Sequence, residues 1–157
     1  MTKIKLASID GLSQILEIEQ EAFSPPWTFE SLLNEVGKED SYFITAVDKL
    51  DLLGYAILRQ VGDDGELLKI AVDKQTRCKG VGAFLMAAIL EHAAEKAFES
   101  VFLEVRESNT AAVKLYEKYG FKVIRVRKDY YNDPVEDALI MNRECKNDKK
   151  CEETSFF

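Results

Sequence analysis

The chain contains 157 residues, of which 46% are hydrophobic and 31% charged, and 28 acidic residues against 21 basic ones give a net charge of −7. This length and composition are typical of one globular domain with a buried core. The acidic balance argues against non-specific binding to nucleic acid, and the longest uncharged stretch, residues 80–90, is too short to cross a bilayer, which takes roughly 20 apolar residues.

The cysteines and the first residues of the chain bear on metals and location. Residues 1–6 include charges and lack the apolar segment of a secretory signal. Cys78, Cys145 and Cys151 are odd in number and do not have metal-site spacing with His92, the one histidine. We therefore expect a reduced, cytoplasmic protein without a structural metal.

The first residues predict a strand and a helix. Ile4 and Leu6 alternate with lysines, as in a half-buried strand. Ser8 or Asp10 is the predicted cap of a helix that the two prolines at 25 and 26 end. The apolar positions of this helix recur at helical spacing and are Leu12, Ile15, Leu16, Ile18, Ala22 and Phe23.

A second helix and three strands follow. Thr28 is the predicted cap of a short helix that runs through Val36. Strand-like runs come next at 42–47, 53–61 and 67–72. Polar turns at 48–52 and 62–65 separate these runs.

The second half of the chain predicts two helices and three strands. After the strand at 101–106, Asn109 is the predicted cap of a helix to Tyr119, which Gly120 ends in the left-handed conformation. Strands are predicted at 121–126 and 135–141. The long helix before them is expected to bury a stripe formed by Val81, Phe84, Leu85, Ala88, Ile89 and His92.

The predicted order of elements is β-α-α-β-β-β-α-β-α-β-β. This order describes a mixed α/β domain and lacks the repeated βαβ units of a doubly wound nucleotide fold. We place the domain at residues 1–143 and expect residues 144–157 to be a polar, disordered tail.

A glycine-containing loop joins the strand at 67–72 to the long helix. Gly80 and Gly82 allow the backbone to approach an anion closely, and a helix start adds unpaired N–H groups with a favourable dipole. The loop therefore predicts a ligand that carries a pyrophosphate. The alternative is a tight turn in which Arg77 and Lys79 are solvated surface charges.

Three motifs at matching distances resemble the GNAT superfamily of acetyl-CoA-dependent N-acetyltransferases over nearly the whole chain. They are the Arg-x-x-Gly-x-Gly pattern at 77–82, Leu-Glu-Val-Arg-Glu-Ser-Asn at 103–109 and Leu-Tyr-Glu-Lys-Tyr-Gly-Phe at 115–121. Three further segments resemble the RimI-type branch, which acetylates the N-terminal alanine of a small-subunit ribosomal protein. These are the Pro-Trp segment at 23–27, the double tyrosine at 127–131 and the Glu-Asp-Ala ending at 136–141.

The resemblance implies a GNAT-like acyl-CoA N-acyltransferase fold, with a central mixed, mostly antiparallel sheet flanked by helices. It implies acetyl-CoA as co-substrate and a protein N-terminus as acceptor, with no nucleic acid, membrane or metal. Glu104 would be the general base and Tyr116 the general acid. The residues that would bind the coenzyme are Ile70, Ala71, Val72, Arg77, Cys78, Lys79, Gly80, Val81, Gly82, Ala83 and Asn109.

Several of these residues also have a purely structural interpretation. Glu104 would otherwise be a solvent-facing carboxylate on an edge strand, and Tyr116 a core tyrosine with its hydroxyl satisfied. Trp27 lines the acceptor groove or plugs the core under the second helix. Tyr130 and Tyr131, next to a predicted loop, line the peptide site or pack on the sheet. His92 is interpreted as a partly buried structural residue, and Cys78 as a coincidental small residue instead of a nucleophile.

Two other functions remain open at this point. The same core supports acetylation of a small amine or an antibiotic. A protein that binds acetyl-CoA without catalysis, as an adaptor, is the second alternative.

Overall fold

The computed structural model describes residues 1–77 and 79–145 and contains, within them, seven strands and four α-helices. Their order is the predicted one, which is thereby confirmed. Short 3₁₀ turns lie at Ile9–Gly11 and Lys74–Thr76. The bounds are β1 Lys3–Leu6, α1 Leu12–Ala22, α2 Phe29–Glu35, β2 Ser41–Asp48, β3 Asp51–Val61, β4 Asp64–Val72, α3 Val81–Glu95, β5 Ser100–Arg106, α4 Thr110–Lys118, β6 Lys122–Tyr131 and β7 Glu136–Glu144.

The strands form a seven-stranded sheet in the order β1-β2-β3-β4-β5-β7-β6. The pairs β1–β2, β2–β3, β5–β7 and β6–β7 are antiparallel. β4 and β5 run parallel, with Gly65 opposite Val101. The predicted mixed, mostly antiparallel sheet is therefore confirmed.

The chain divides into two compact units. Of the described residues, the first comprises 1–59 and 68–89, and the second comprises 60–67 and 90–145. The core of the first unit is formed by Leu12, Ile15, Ile18, Leu32, Phe43, Tyr55, Ile57 and Ala71. The second unit buries the alternate residues Val101, Leu103 and Val105 of β5, together with Phe98, Phe121, Ala138, Met141 and Cys145.

Local capping signals account for several helix ends. The Thr28 hydroxyl accepts the Ser31 N–H at 3.1 Å at the start of α2. The Asn109 side chain accepts the Ala112 N–H at 3.2 Å at the start of α4, and Gly120 beyond its end has a φ of +87°. Each of these three predictions is confirmed.

The predicted start of α1 was wrong. A 3₁₀ turn precedes this helix, its N-cap residue is Gly11, and no side chain caps it. Ser8 instead precedes the 3₁₀ turn, without a side-chain hydrogen bond to it.

The predicted stripe of α3 was partly wrong. Phe84 is 39% exposed, whereas the buried residues are Val81, Leu85, Met86, Ile89 and Ala93. This helix is apolar on nearly every side, so its hydrophobic pattern does not single out one face.

The C-terminal strands are longer than expected. β6 extends to Tyr131, so Tyr130 and Tyr131 lie within a strand. β7 extends to Glu144, and Cys145 after it is buried, so the ordered fold passes the predicted boundary at residue 143. The rest of the predicted tail, 146–157, lies outside the described residues. Among the residues described, every helix is too short or too polar to span a bilayer.

A fully buried carboxylate organises the first unit. Glu19 accepts the Tyr55 hydroxyl at 2.6 Å, pairs with the Lys69 ammonium at 2.8 Å and accepts the Trp27 N–H at 3.2 Å. The Lys69 ammonium also lies 3.8 Å from the centre of the Phe23 ring. Burial and, to a lesser extent, the charge of Glu19 raise the pKa of Tyr55, so its hydroxyl remains a donor. These contacts fasten the end of α1 and the segment after it to β3 and β4.

Gly54 marks a close approach between backbones in the first unit. A Cβ atom at this position would lie 2.7 Å from the Ala71 carbonyl oxygen, 3.1 Å from Leu85 and 3.3 Å from the Cα of Val72. Two of these three neighbours are backbone atoms, which cannot rotate away as a side-chain end can. Only glycine fits without displacing the end of β4.

We expect Gly54→Ala to lower the free energy of unfolding by about 1–3 kcal/mol, because a methyl group forces backbone shifts in a packed core. Urea denaturation followed by circular dichroism measures this change. Gly11→Ala is the matched control, since its Cβ would meet only Leu52 at an ordinary 3.6 Å and should change stability by less than about 0.5 kcal/mol. Equal stability of the two variants would contradict this account of β4.

Candidate functional site

The segment that leads into the glycine loop is anchored to β3. The Asp73 N–H donates to the Leu53 carbonyl at 2.8 Å, and the Thr76 hydroxyl donates to the same oxygen at 3.3 Å. The Asp73 carboxylate accepts the Gln75 N–H at 3.1 Å, which closes the 3₁₀ turn. The loop therefore starts from a fixed point. Cys78, a predicted loop residue, lies outside the described residues.

The loop has the features of an anion-binding turn. Gly80 has a φ of +83°, and a Cβ there would meet no atom within 4 Å. Its carbonyl accepts the Phe84 N–H at 3.0 Å and so opens α3, whose dipole places partial positive charge at this end. Arg77 and Lys79 are exposed beside it. The positive helix end, the open space and two cations fit a phosphate-bearing ligand.

The other predicted coenzyme residues lie on either side of this loop in the sequence. Ile70, Ala71 and Val72 form the end of β4, where Ala71 is buried and its two neighbours are partly exposed. The Asn109 side-chain oxygen is engaged as the cap of α4.

Glu104 lies on β5, whose pairing with β4 is at Val101 and Phe102 and whose pairing with β7 extends from Ser100 to Arg106. β5 lies between β4 and β7, and Glu104 pairs in register with Ile140. Its side chain is 28% exposed and accepts a hydrogen bond from Arg127 at 3.2 Å. The Tyr130 hydroxyl also hydrogen-bonds to this carboxylate. Glu104 is thus held on two sides yet remains accessible.

Two tyrosines of β6, Tyr130 and Tyr131, also belong to the second unit. The rings of Tyr130 and Tyr131 meet edge to face, with centroids 5.1 Å apart. The hydrogen bond to Glu104, followed by burial, raises the pKa of Tyr130. Burial and, to a lesser extent, the charge of Glu104 raise the pKa of Tyr131 to about 12. Both hydroxyls therefore stay protonated at physiological pH.

Tyr116 is a buried residue of the same unit. It is 7% exposed on α4, and its ring packs on Phe121 with centroids 5.9 Å apart. Burial, followed by the electrostatic effect of Tyr131, raises its pKa. The second unit therefore holds Glu104, Tyr130, Tyr131 and Tyr116, and Tyr131 acts electrostatically on Tyr116. Tyr116 is a core residue with a proton that it retains well into the alkaline range.

Three charged residues of this group were not predicted as site residues from the sequence. Arg127 pairs with Glu104, whereas Arg106 and Glu136 pair with each other at 3.3 Å. Arg106 also lies over the Tyr131 ring, 4.4 Å from its centre. One signal was available: Glu104 and Arg106 are two residues apart on a strand and so share a face.

The remaining predicted residues have structural contacts. Trp27 belongs to the first unit, where it packs partly buried on the core and donates its backbone N–H to Glu19. His92 is partly buried on α3, and burial, followed by the charge of Lys96, lowers its pKa. Within residues 1–77 and 79–145, no group of three or more His, Cys, Asp or Glu side chains could hold a metal ion.

Comparison with known proteins agrees with this fold. [Ribosomal protein bS18]-alanine N-acetyltransferase of Haemophilus influenzae is 36% identical over 131 residues, which are 82% of this chain and 88% of that protein. The crystal structure of the ribosomal-protein-S18-alanine N-acetyltransferase from Escherichia coli superposes with a TM-score of 0.84 at 30% identity, over 92% of this chain and 94% of the other.

A more distant structure shows the fold alone. PaiA N-acetyltransferase from Thermoplasma acidophilum, in complex with coenzyme A, has a TM-score of 0.76 at 22% identity, over 92% of this chain and 99% of that one.

The sequence pattern of the acetyltransferase (GNAT) family matches residues 12–121. With this match and relatives above 30% identity, the chain belongs to the acetyltransferase (GNAT) family and is an acyltransferase.

Proposed function

We propose that this protein transfers an acetyl group from acetyl-CoA to the N-terminal α-amino group of a protein, and that its substrate is the N-terminal alanine of a small-subunit ribosomal protein. The names of the Haemophilus and Escherichia coli relatives support this acceptor. The cytoplasm, where ribosomal proteins are made, is the proposed compartment.

Acetyl-CoA supplies an activated acyl group, as a thioester, when it is bound. We assign its diphosphate to the loop of residues 77–83, including Cys78, because the φ of Gly80 and the start of α3 suit an anion. The backbone of residues 70–72 and Asn109 are assigned to the pantetheine arm. Binding at several points would orient the acyl carbon and replace a bimolecular encounter with a fixed geometry.

Glu104 is assigned the removal of the amine proton. An α-amino group has a pKa near 7.7–8.0, so roughly a quarter of it is already neutral near pH 7.4, whereas a lysine amine, with a pKa near 10.4, is only about 0.1% neutral. The accessible carboxylate of Glu104 therefore needs to shift the equilibrium of an N-terminal amine only modestly, directly or through one water. This difference favours N-terminal acceptors over lysines.

Tyr116 is assigned the donation of a proton to the departing sulfur. Its raised pKa means that the hydroxyl is fully protonated at working pH, which a donor requires. The same shift makes it a weaker acid, so we assign its main effect to a hydrogen bond that strengthens as negative charge develops on sulfur. The observations that support these roles are the accessible Glu104 carboxylate, which Arg127 holds, and the buried, protonated hydroxyl of Tyr116.

We expect Tyr116→Phe to lower kcat by about 10²–10⁴-fold, because it removes one proton donor and almost no volume. Coenzyme affinity, measured by calorimetry, should stay within about twofold, since the phenyl ring keeps its packing on Phe121. Tyr119→Phe, one turn later on the same segment, is the control and should keep wild-type turnover. A Tyr116→Phe enzyme with normal kcat would remove Tyr116 from the reaction.

We expect Glu104→Gln to reduce kcat/KM more at pH 6.5 than at pH 9.5. The acceptor amine is mostly protonated at the lower pH and mostly neutral at the higher one, so the need for a base falls as pH rises. The profile is measured with a peptide that begins with alanine, and Glu107→Gln, an exposed carboxylate just after β5, serves as control. A reduction that is the same at every pH would argue against a base.

The acceptor class is tested with labelled acetyl-CoA and three kinds of acceptor. The proposal predicts label on the α-amino group of alanine-led peptides and on one terminus in a ribosomal extract, located by mass spectrometry. Preferential labelling of polyamines or aminoglycosides would instead assign a small-amine substrate. Coenzyme binding without transfer to any acceptor would identify an adaptor.

A further inference from the structure

The guanidinium of Arg106 joins four groups at the end of β5. It donates to the carbonyls of Asn132 and Pro134, each at 3.0 Å, and pairs with the Glu136 carboxylate at 3.3 Å. Its central carbon also lies over the Tyr131 ring, 4.4 Å from the centre. The side chain is only 20% exposed. A rigid, planar fork with several donors can satisfy all four partners at once, which a lysine ammonium cannot do.

Glu136 extends this junction to the loop between β5 and α4. Its second oxygen accepts the Ser108 N–H at 2.5 Å, and hydrogen bonds from Ser108, followed by the pairing with Arg106, lower the pKa of Glu136. The carboxylate therefore stays ionised. The Asn109 N–H, next in the chain, donates to the Arg106 carbonyl at 3.0 Å. Arg106 thus ties the turn at 132–135 to the loop at 107–109.

We propose that Arg106 is a positioning residue of the acetyl-transfer site: it holds the turn at 132–135 and the Tyr131 ring in the orientation that an acceptor peptide requires. This inference rests on the proposed function. Arg106 acts through Tyr131 and the turn, and the reacting atoms are left to Glu104 and Tyr116. The junction serves to orient these groups and adds little stability, because partly exposed ion pairs contribute at most about 1 kcal/mol.

We expect the loss of Arg106 to weaken the productive binding of the acceptor peptide and to leave the binding of the coenzyme unchanged. With an alanine-led peptide, Arg106→Gln should reduce kcat/KM by about 10–100-fold, mainly through a higher KM for the peptide, since misplacing a substrate by about 1 Å can cost this much. Arg106→Lys keeps the positive charge but loses the fork and the flat stacking surface. It should therefore lose most of the same activity. The KM for acetyl-CoA should stay within about twofold in both variants.

The test measures both Michaelis constants for wild type, Arg106→Gln, Arg106→Lys and the control Arg125→Gln, which removes the same charge from an exposed site on β6. A double-mutant cycle with Tyr131→Ala separates positioning from general damage. If Arg106 acts through Tyr131, the double variant should lose little more than the worse single variant. Independent structural damage would instead multiply the two losses.

The possible results distinguish failure of the proposed function from failure of the role of Arg106. Wild-type protein that leaves every N-terminal peptide unmodified would refute the proposed function, and the role of Arg106 with it. An active wild type with an unchanged peptide KM in both Arg106 variants would refute the role of Arg106 alone. So would full activity of Arg106→Lys, equal increases in the KM values of peptide and coenzyme, or multiplicative losses in the cycle.

Discussion

The antiparallel pairing of β5 with β7 is the constraint on which the candidate catalytic group depends. The register runs from Ser100 opposite Glu144 to Arg106 opposite Ala138, along the whole of β5. Because side chains alternate along a strand, this pairing buries Val101, Leu103 and Val105 on one face and leaves Glu104 and Arg106 together on the other. A shift of one residue would exchange the two sets and bury both charges.

The second pairing of β7, with β6, completes the group. Ala138 lies opposite Arg106 on one side and Arg127 on the other, and Glu136 lies opposite Tyr131. Two cations, two carboxylates and two tyrosines therefore meet across three adjacent strands. Each ion pair is partly exposed and contributes little to stability. Their effect is to orient: Arg127 and Tyr130 hold Glu104, while Arg106 holds the Tyr131 ring.

The sequence predicted the features that depend on near neighbours. Thr28 and Asn109 cap helices through bonds to residues three positions on, and Gly120 ends α4, so each could be recognised locally. The order of elements follows from such signals and from hydrophobic runs. Motif spacing then identified the family, because Glu104 and Tyr116 stand at fixed distances from the glycine loop. The loop itself was predicted from its two glycines at a strand-to-helix junction.

Features that depend on distant partners were missed. The extension of β6 to Tyr131 had no apolar alternation to indicate it, since nearly every residue of that edge strand is exposed, and its conformation follows from pairing with β7. The partners of Arg106 lie 26–30 residues away in the chain, in a turn that the sequence gives no reason to connect with β5. The buried face of α3 was ambiguous because the helix is apolar almost all round.

The most direct test of the central claim is a crystal structure with a bisubstrate conjugate of coenzyme A and an alanine-led peptide. The account predicts the diphosphate on the backbone of residues 79–83 and the sulfur within hydrogen-bond distance of the Tyr116 hydroxyl. It also predicts the alanine nitrogen within reach of Glu104, directly or through one water. A conjugate whose sulfur and nitrogen both lie far from these two side chains would contradict it.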